Sequence, residues 1–150
     1  MQGKLGKYVA LARAELGNRA AVVKVKINGL CVNSCRFCLF HEDPRKLEVE
    51  HLAKLFDMIE KPRYRRIDIN GGEPSLHPRF PEISQFLAER AGNKVLLHLG
   101  SNLIPLAKPS RRGKRFLQAA LDVYGAFSVG CDDEHNNIDC LEQLAPEITC

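Results

Sequence analysis

The chain has 150 residues, enough for one domain with its own core and no disulfide staples. Its composition, 45% hydrophobic, 27% charged and 7% aromatic, is that of a globular protein, and a formal net charge of +4 is too small to single out nucleic acid as a partner. No run is long and apolar enough to cross a membrane, and no signal-peptide pattern follows the polar start Met1–Lys7. A cytoplasmic protein is therefore expected, in which grouped cysteines point to metal binding or catalysis before disulfides.

Lys7–Leu16 reads as a leading helix within a lead-in of residues 1–20, and residues 21–150 read as one strand–helix domain. Ala21–Ile27 alternates apolar and charged residues and is β-branched, so it is expected to be a strand that Asn28-Gly29 ends. Asp43-Pro44 is expected to start a helix, on whose one face Leu52, Leu55, Phe56 and Ile59 recur and which Pro62 stops. Arg66–Asn70 is the second expected strand, followed by a helix marked by Phe80, Ile83, Phe86 and Leu87 and closed by Gly92-Asn93. Lys94–Leu99 is the third strand. Ser110 is placed to cap a helix carrying Phe116, Leu117, Ala120 and Leu121. Ala126–Val129 is the fourth strand, and Ile138–Ala145 a last helix limited by Pro146. The basic groups Arg63–Arg66 and Arg111–Arg115 read as solvated turns or helix starts, since no aromatic residues interleave with them as in a single-strand binder.

Four strand-then-helix units imply an α/β fold with a parallel sheet, curling into a partial parallel (β/α) barrel. Ligands of such sheets gather at the C-terminal ends of the strands. The loops there hold nearly all the unusual chemistry.

After the first strand comes Cys31-Val-Asn-Ser-Cys35-Arg-Phe-Cys38. Three thiolates so close in sequence can wrap one metal centre at little entropic cost. They could belong to an iron–sulfur cubane with one iron left open. With His41 they could equally form a Cys3His zinc site. After the second strand comes Gly71-Gly72-Glu73-Pro74, where paired glycines allow close approach and positive φ, and a carboxylate can take an ammonium group. Gly100-Ser101-Asn102 ends the third strand. Ser128 and Cys131-Asp132-Asp133-Glu134-His135 lie at the end of the fourth, the acidic run reading as solvated. Cys131, Cys140 and Cys150 fit no compact cluster motif. His51, His77 and His98 have no constellation around them in the sequence, and a capping or turn role is expected for His77.

The C-x3-C-x2-C loop, with aromatic Phe37 before its third cysteine, and the GGEP loop one strand later together resemble the radical S-adenosylmethionine (radical SAM) superfamily. That resemblance implies a [4Fe–4S] cluster on Cys31, Cys35 and Cys38, with the fourth iron chelated by S-adenosyl-L-methionine. It implies that Phe37 lies beside the adenine and that Gly71, Gly72, Glu73 and Pro74 receive the methionyl amino group. It also implies that Ser101 and Asn102 bond the cofactor or substrate, with Leu103 where a glycine is often found, and that Ser128 meets the ribose or carboxylate. The implied activity is reductive cleavage of S-adenosylmethionine to a 5′-deoxyadenosyl radical that takes hydrogen from an unidentified substrate, with an external one-electron donor of flavodoxin or ferredoxin type. The two motifs in this order weigh against zinc. The family usually has about six strand–helix units against the four counted here. The chain is thus expected to be a fragment, to be completed by a partner chain, or to bind a cluster without turnover.

Overall fold

The computed structural model describes residues 21–38, 43–58, 64–92, 95–130, 135 and 137–148. The leading helix, His41, Cys131, residues 132–134 and Cys150 lie outside them. The strands are β1 (Ala21–Gly29), β2 (Asp43–Lys46), β3 (Tyr64–Gly71), β4 (Leu96–Ser101) and β5 (Ala126–Val129). The helices are α1 (Val49–Met58), α2 (Phe80–Ala91), α3 (Ile104–Ala107), α4 (Arg111–Val123) and α5 (Ile138–Ile148), with a 3₁₀ turn at Pro74–Leu76.

One sheet runs in the order β2-β1-β3-β4-β5. The neighbours β1/β3, β3/β4 and β4/β5 are parallel, as the alternating pattern requires. Period-two alternation sends Val25, Ile27, Ile67, Ile69, Leu97 and Leu99 to one face. There they form a single core with Leu52 and Phe56 of α1, Phe80, Ile83 and Leu87 of α2, Phe116 and Leu117 of α4, and Leu144 of α5. The opposite, inner face carries Lys24, Asp68, His98 and Ser128, with Val22 and Leu96 exposed beside them.

Three expectations about the elements need correction. Asp43-Pro44 does not start a helix; it lies in β2, an antiparallel edge strand with Gly29↔Asp43 and Asn28↔Lys46 in register. Proline lacks an N–H, which an edge strand tolerates. The helix begins five residues later, where the Glu48 amide donates to His51 Nδ1 at 3.2 Å. The third strand is displaced towards its C-terminus, because pairing with β5 carries it through Gly100 and Ser101. Pro146 does not limit the last helix. It lies inside α5, where it removes one helical donor, and the helix runs on to Ile148, which packs on the core. Two caps fall where the sequence places them: Ser110 Oγ accepts from the Gly113 amide at 3.0 Å, and Gly92 closes α2 with φ +59°.

Tyr124 follows α4 and stacks on Phe80, with ring centroids 6.2 Å apart. Ser84 donates its hydroxyl to the Phe80 carbonyl at 2.9 Å, so the Tyr124 hydroxyl, 3.1 Å away, is the donor to Ser84. Burial pushes the Tyr124 hydroxyl well above the usual phenol range. Tyr124→Phe removes this donor and leaves Ser84 still bonded. It is expected to cost about 1 kcal/mol, read as a lowered urea midpoint at unchanged slope.

Candidate functional site

A cavity of about 480 Å³ opens at the C-terminal ends of β1, β3, β4 and β5. Cys31, Cys35, Cys38 and Phe37 border it from the loop after β1. Gly71 and Gly72 border it from the loop after β3, Ser101 and Asn102 from the end of β4, and Ser128 from β5. Nine of the residues singled out in the sequence thus meet at one place. Glu73 and Pro74 do not border it, and both are buried beneath it.

The cysteine loop is a tight turn in which the Cys38 amide donates to the Cys35 carbonyl at 3.0 Å. Cys31 is exposed, Cys38 half-buried and Cys35 buried, and none is in a disulfide. Cys31 Sγ accepts from the Asn33 amide at 3.4 Å and from Asn102 Nδ2 at 3.6 Å. Such donors suit a thiolate ligand and are among the protein's levers on cluster potential. Among the described residues, no three Cys, His, Asp or Glu side chains converge as the ligands of one ion would. The three thiols border one shared cavity, and two donors reach the sulfur of Cys31.

The two glycines have a further reason beyond ligand approach. A Cβ on Gly71 would overlap the Asn28 carbonyl oxygen, and Gly71 holds φ +149°. A Cβ on Gly72 would overlap the Leu30 carbonyl and stand 2.8 Å from that of Gly29. The close approach is backbone to backbone. The Gly72 amide donates to the Asn28 carbonyl at 3.0 Å and the Glu73 amide to the Leu30 carbonyl at 2.6 Å. Asn28 Nδ2 adds a bond to the Glu73 carbonyl at 3.1 Å. The two motif loops are joined directly upstream of Cys31.

Glu73 joins a third loop to them. Its carboxylate accepts from the Ser75 amide at 3.0 Å, the Ser75 hydroxyl, the Ser101 hydroxyl at 2.9 Å and the Asn102 amide at 2.7 Å. Burial pushes the Glu73 carboxyl above the ordinary range, opposed by these bonds. Gln in its place keeps the volume but turns an NH₂ towards donors. Glu73→Gln is therefore expected to lower stability by about 3 kcal/mol in denaturant unfolding.

Leu103 takes φ +64°, the left-handed conformation suited to the glycine often found here in the family it resembles. Its fully buried side chain holds it in the core. Asn102 Oδ1 accepts from the Ile104 amide at 3.1 Å, starting α3.

Two residues take roles that sequence reasoning did not assign. Asn137 Nδ2 donates to the carbonyls of Asn102, at 2.8 Å, and Gly130, at 2.9 Å, bracing the loops after β4 and β5. The His135 ring lies 5.6 Å from that of Phe37, and its carbonyl accepts from Asn33 Nδ2 at 2.8 Å. None of these has a spacing that marks it. His98, which looked isolated in the sequence, lies in a hydrogen-bonded group with Arg66, Asp68 and Ser128. Arg66 is accordingly a strand residue in an ion pair, not part of a solvated turn. His77 is buried, and its Nδ1 accepts from the Arg79 amide at 3.1 Å, as a turn role requires. Cys140 packs at the core margin.

A cysteine loop and a glycine loop on adjacent parallel strands, facing one cavity, define the class. The family model for the Radical SAM superfamily matches residues 25–125, and the chain belongs to that superfamily. Over 70 residues it is 31% identical to GTP 3',8-cyclase of Chlorobaculum tepidum, a match covering 45% of this chain and 21% of the cyclase. It is similar in fold to Streptococcus suis SuiB, solved bound to the precursor peptide SuiA. The TM-score is 0.57 at 11% identity, covering 82% of this chain and 27% of SuiB. The chain thus spans about a fifth of the cyclase and about a quarter of SuiB. Its sheet is a partial, unclosed barrel. No helix among the described residues is long and apolar enough to cross a membrane.

Proposed function

We propose that this chain is the cluster-bearing part of a radical enzyme, holding a [4Fe–4S] cluster on Cys31, Cys35 and Cys38 and S-adenosylmethionine in the adjoining cavity. When bound, the cluster supplies the single electron for reductive cleavage of S-adenosylmethionine. The observation that carries the reading is the backbone joining of the cysteine and glycine loops at the rim of one cavity.

Within this reading the loop Gly71–Pro74 receives the methionyl amino group. Gly71 and Gly72 present backbone to it, and Glu73 holds that backbone in place from below. Phe37, 60% exposed with its ring against His135, is placed to cover the adenine. Ser101 is spent on Glu73, while Asn102 reaches Cys31. The electron comes from an external donor of flavodoxin or ferredoxin type, and the substrate stays unassigned.

The test is anaerobic reconstitution of the chain with iron and sulfide. A brown, oxygen-sensitive protein that forms 5′-deoxyadenosine when given a strong reductant and S-adenosylmethionine supports the proposal. Cluster uptake without 5′-deoxyadenosine would reduce it to a binding domain. A colourless protein holding one zinc and no iron would refute it.

A further inference from the structure

Asn102 is engaged through every one of its polar groups. It is 6% exposed and directly follows β4 at the rim of the cavity. Its backbone N–H donates to Glu73 Oε2 at 2.7 Å, and its carbonyl accepts from Asn137 Nδ2 at 2.8 Å. Its side-chain Oδ1 accepts from the Ile104 amide at 3.1 Å. The NH₂ group remains, and Nδ2 lies 3.6 Å from the sulfur of Cys31, a residue 71 positions away. The same sulfur accepts from the Asn33 amide at 3.4 Å.

These partners fix which end of the side chain faces the sulfur. A backbone N–H only donates, so the Asn102 atom that meets Ile104 is the oxygen, and the one that meets Cys31 is the nitrogen. Turning the amide over would set donor against donor at Ile104 and lose a buried bond. Glu73, Asn137 and Ile104 hold the residue from three directions, so the fold itself sets the donor in place. A hydrogen bond strengthens as its acceptor gains negative charge. A cluster that takes up an electron places more negative charge on its sulfurs. A fixed N–H donor therefore favours the reduced form and raises the reduction potential.

We infer that Asn102 is a positioning residue whose NH₂ group donates to the thiolate of Cys31 and raises the reduction potential of the cluster that Cys31 helps to hold. The role in potential rests on the [4Fe–4S] reading above. It departs from the resemblance, which gives Asn102 a bond to cofactor or substrate. Two substitutions part the donor from the turn that Asn102 builds. In Asn102→Ser the hydroxyl can replace Oδ1 as acceptor for the Ile104 amide, as serine does in such turns, and is too short to reach Cys31. In Asn102→Asp one carboxylate oxygen keeps the Ile104 bond, and the other brings an acceptor and a negative charge to the sulfur.

Two measurements test this. The first is a reductive titration of the reconstituted chain without S-adenosylmethionine, followed by electron paramagnetic resonance. Asn102→Ser is expected to load iron as the wild-type chain does and to be about tenfold harder to reduce, a drop of about 59 mV for a one-electron couple. Asn102→Asp should fall further in the same direction. A purely structural role would lower the urea midpoint of Asn102→Ser and leave the potential unmoved. The second is nitrogen-15 NMR of the chain without iron, with the Asn102 NH₂ pair assigned through Asn102→Ser. That pair should shift in Cys31→Ala and hold its position in Cys140→Ala. A wild-type potential in Asn102→Ser overturns the inference, as does an NH₂ pair that ignores Cys31→Ala. The NMR arm needs no cluster, so its failure leaves the proposed function standing. A wild-type chain that takes up no iron removes the proposed function and the role in potential with it, whatever the NMR arm finds. Asn102→Asp, which keeps volume and turn, carries the titration if Asn102→Ser does not fold.

Discussion

Cys35→Ala is expected to take up almost no iron on anaerobic reconstitution while keeping its fold, against about four irons per wild-type chain. Cys35 is 6% exposed at the start of the loop's turn, and the bond from Cys38 to it uses backbone atoms that alanine retains. Buried cysteine behaves as a small hydrophobe, so alanine fills the position at small cost. What disappears is one of three thiolates at a cavity where no other cysteine of the described residues stands. Cys140→Ala, on α5, is the control and should load iron normally. Iron and visible absorbance together report the result, and near-normal iron in Cys35→Ala would remove the cluster assignment.

Gly72→Ala is expected to lose about 3 kcal/mol or more of stability and, with it, binding of S-adenosylhomocysteine. The methyl group meets carbonyls of Gly29 and Leu30, which are backbone and cannot swing aside as a side chain would. Relief requires β1 and the glycine loop to separate, breaking the bonds Gly72 and Glu73 make to Asn28 and Leu30. Gly92→Ala separates this effect from backbone conformation. Gly92 holds φ +59° and ψ −165°, a region essentially confined to glycine, with open space where a Cβ would stand, so only that backbone penalty of about 1–3 kcal/mol applies. Denaturant unfolding of both variants decides the matter. Gly72→Ala no less stable than Gly92→Ala would contradict the close-approach explanation.

The strands and most helices were legible because the core is one-sided. Val25, Ile27, Ile67 and Ile69 alternate with polar residues that face the inner side, and Phe80, Ile83 and Leu87 recur at helical spacing. Strand β2 was not legible. Its residues Asp-Pro-Arg-Lys carry no strand pattern, and it exists because Leu47 and Lys46 find partners on β1. At the site, residues grouped in short motifs could be read: the three cysteines, Phe37 and the two glycines. Glu73 was visible as a motif residue, but its engagement by Ser101 and Asn102 depends on a loop about 28 residues away in sequence. Asn28, Asn137, Asp68 and His98 are scattered single residues. Only strand register brings them to their partners, and register is not written in any one segment.

The joining of the two loops also bears on the order of events during folding. Asn28 and Glu73 are 45 residues apart in sequence, and the bonds between their segments form only once β1 and β3 lie side by side. Closing so long a segment carries an entropic cost that local contacts cannot offset. The seat for the thiols is therefore completed late, after the central sheet has paired. A zinc finger is organised by its metal; here a metal centre would be received by a chain already folded, and its loss would open a loop without dissolving the core.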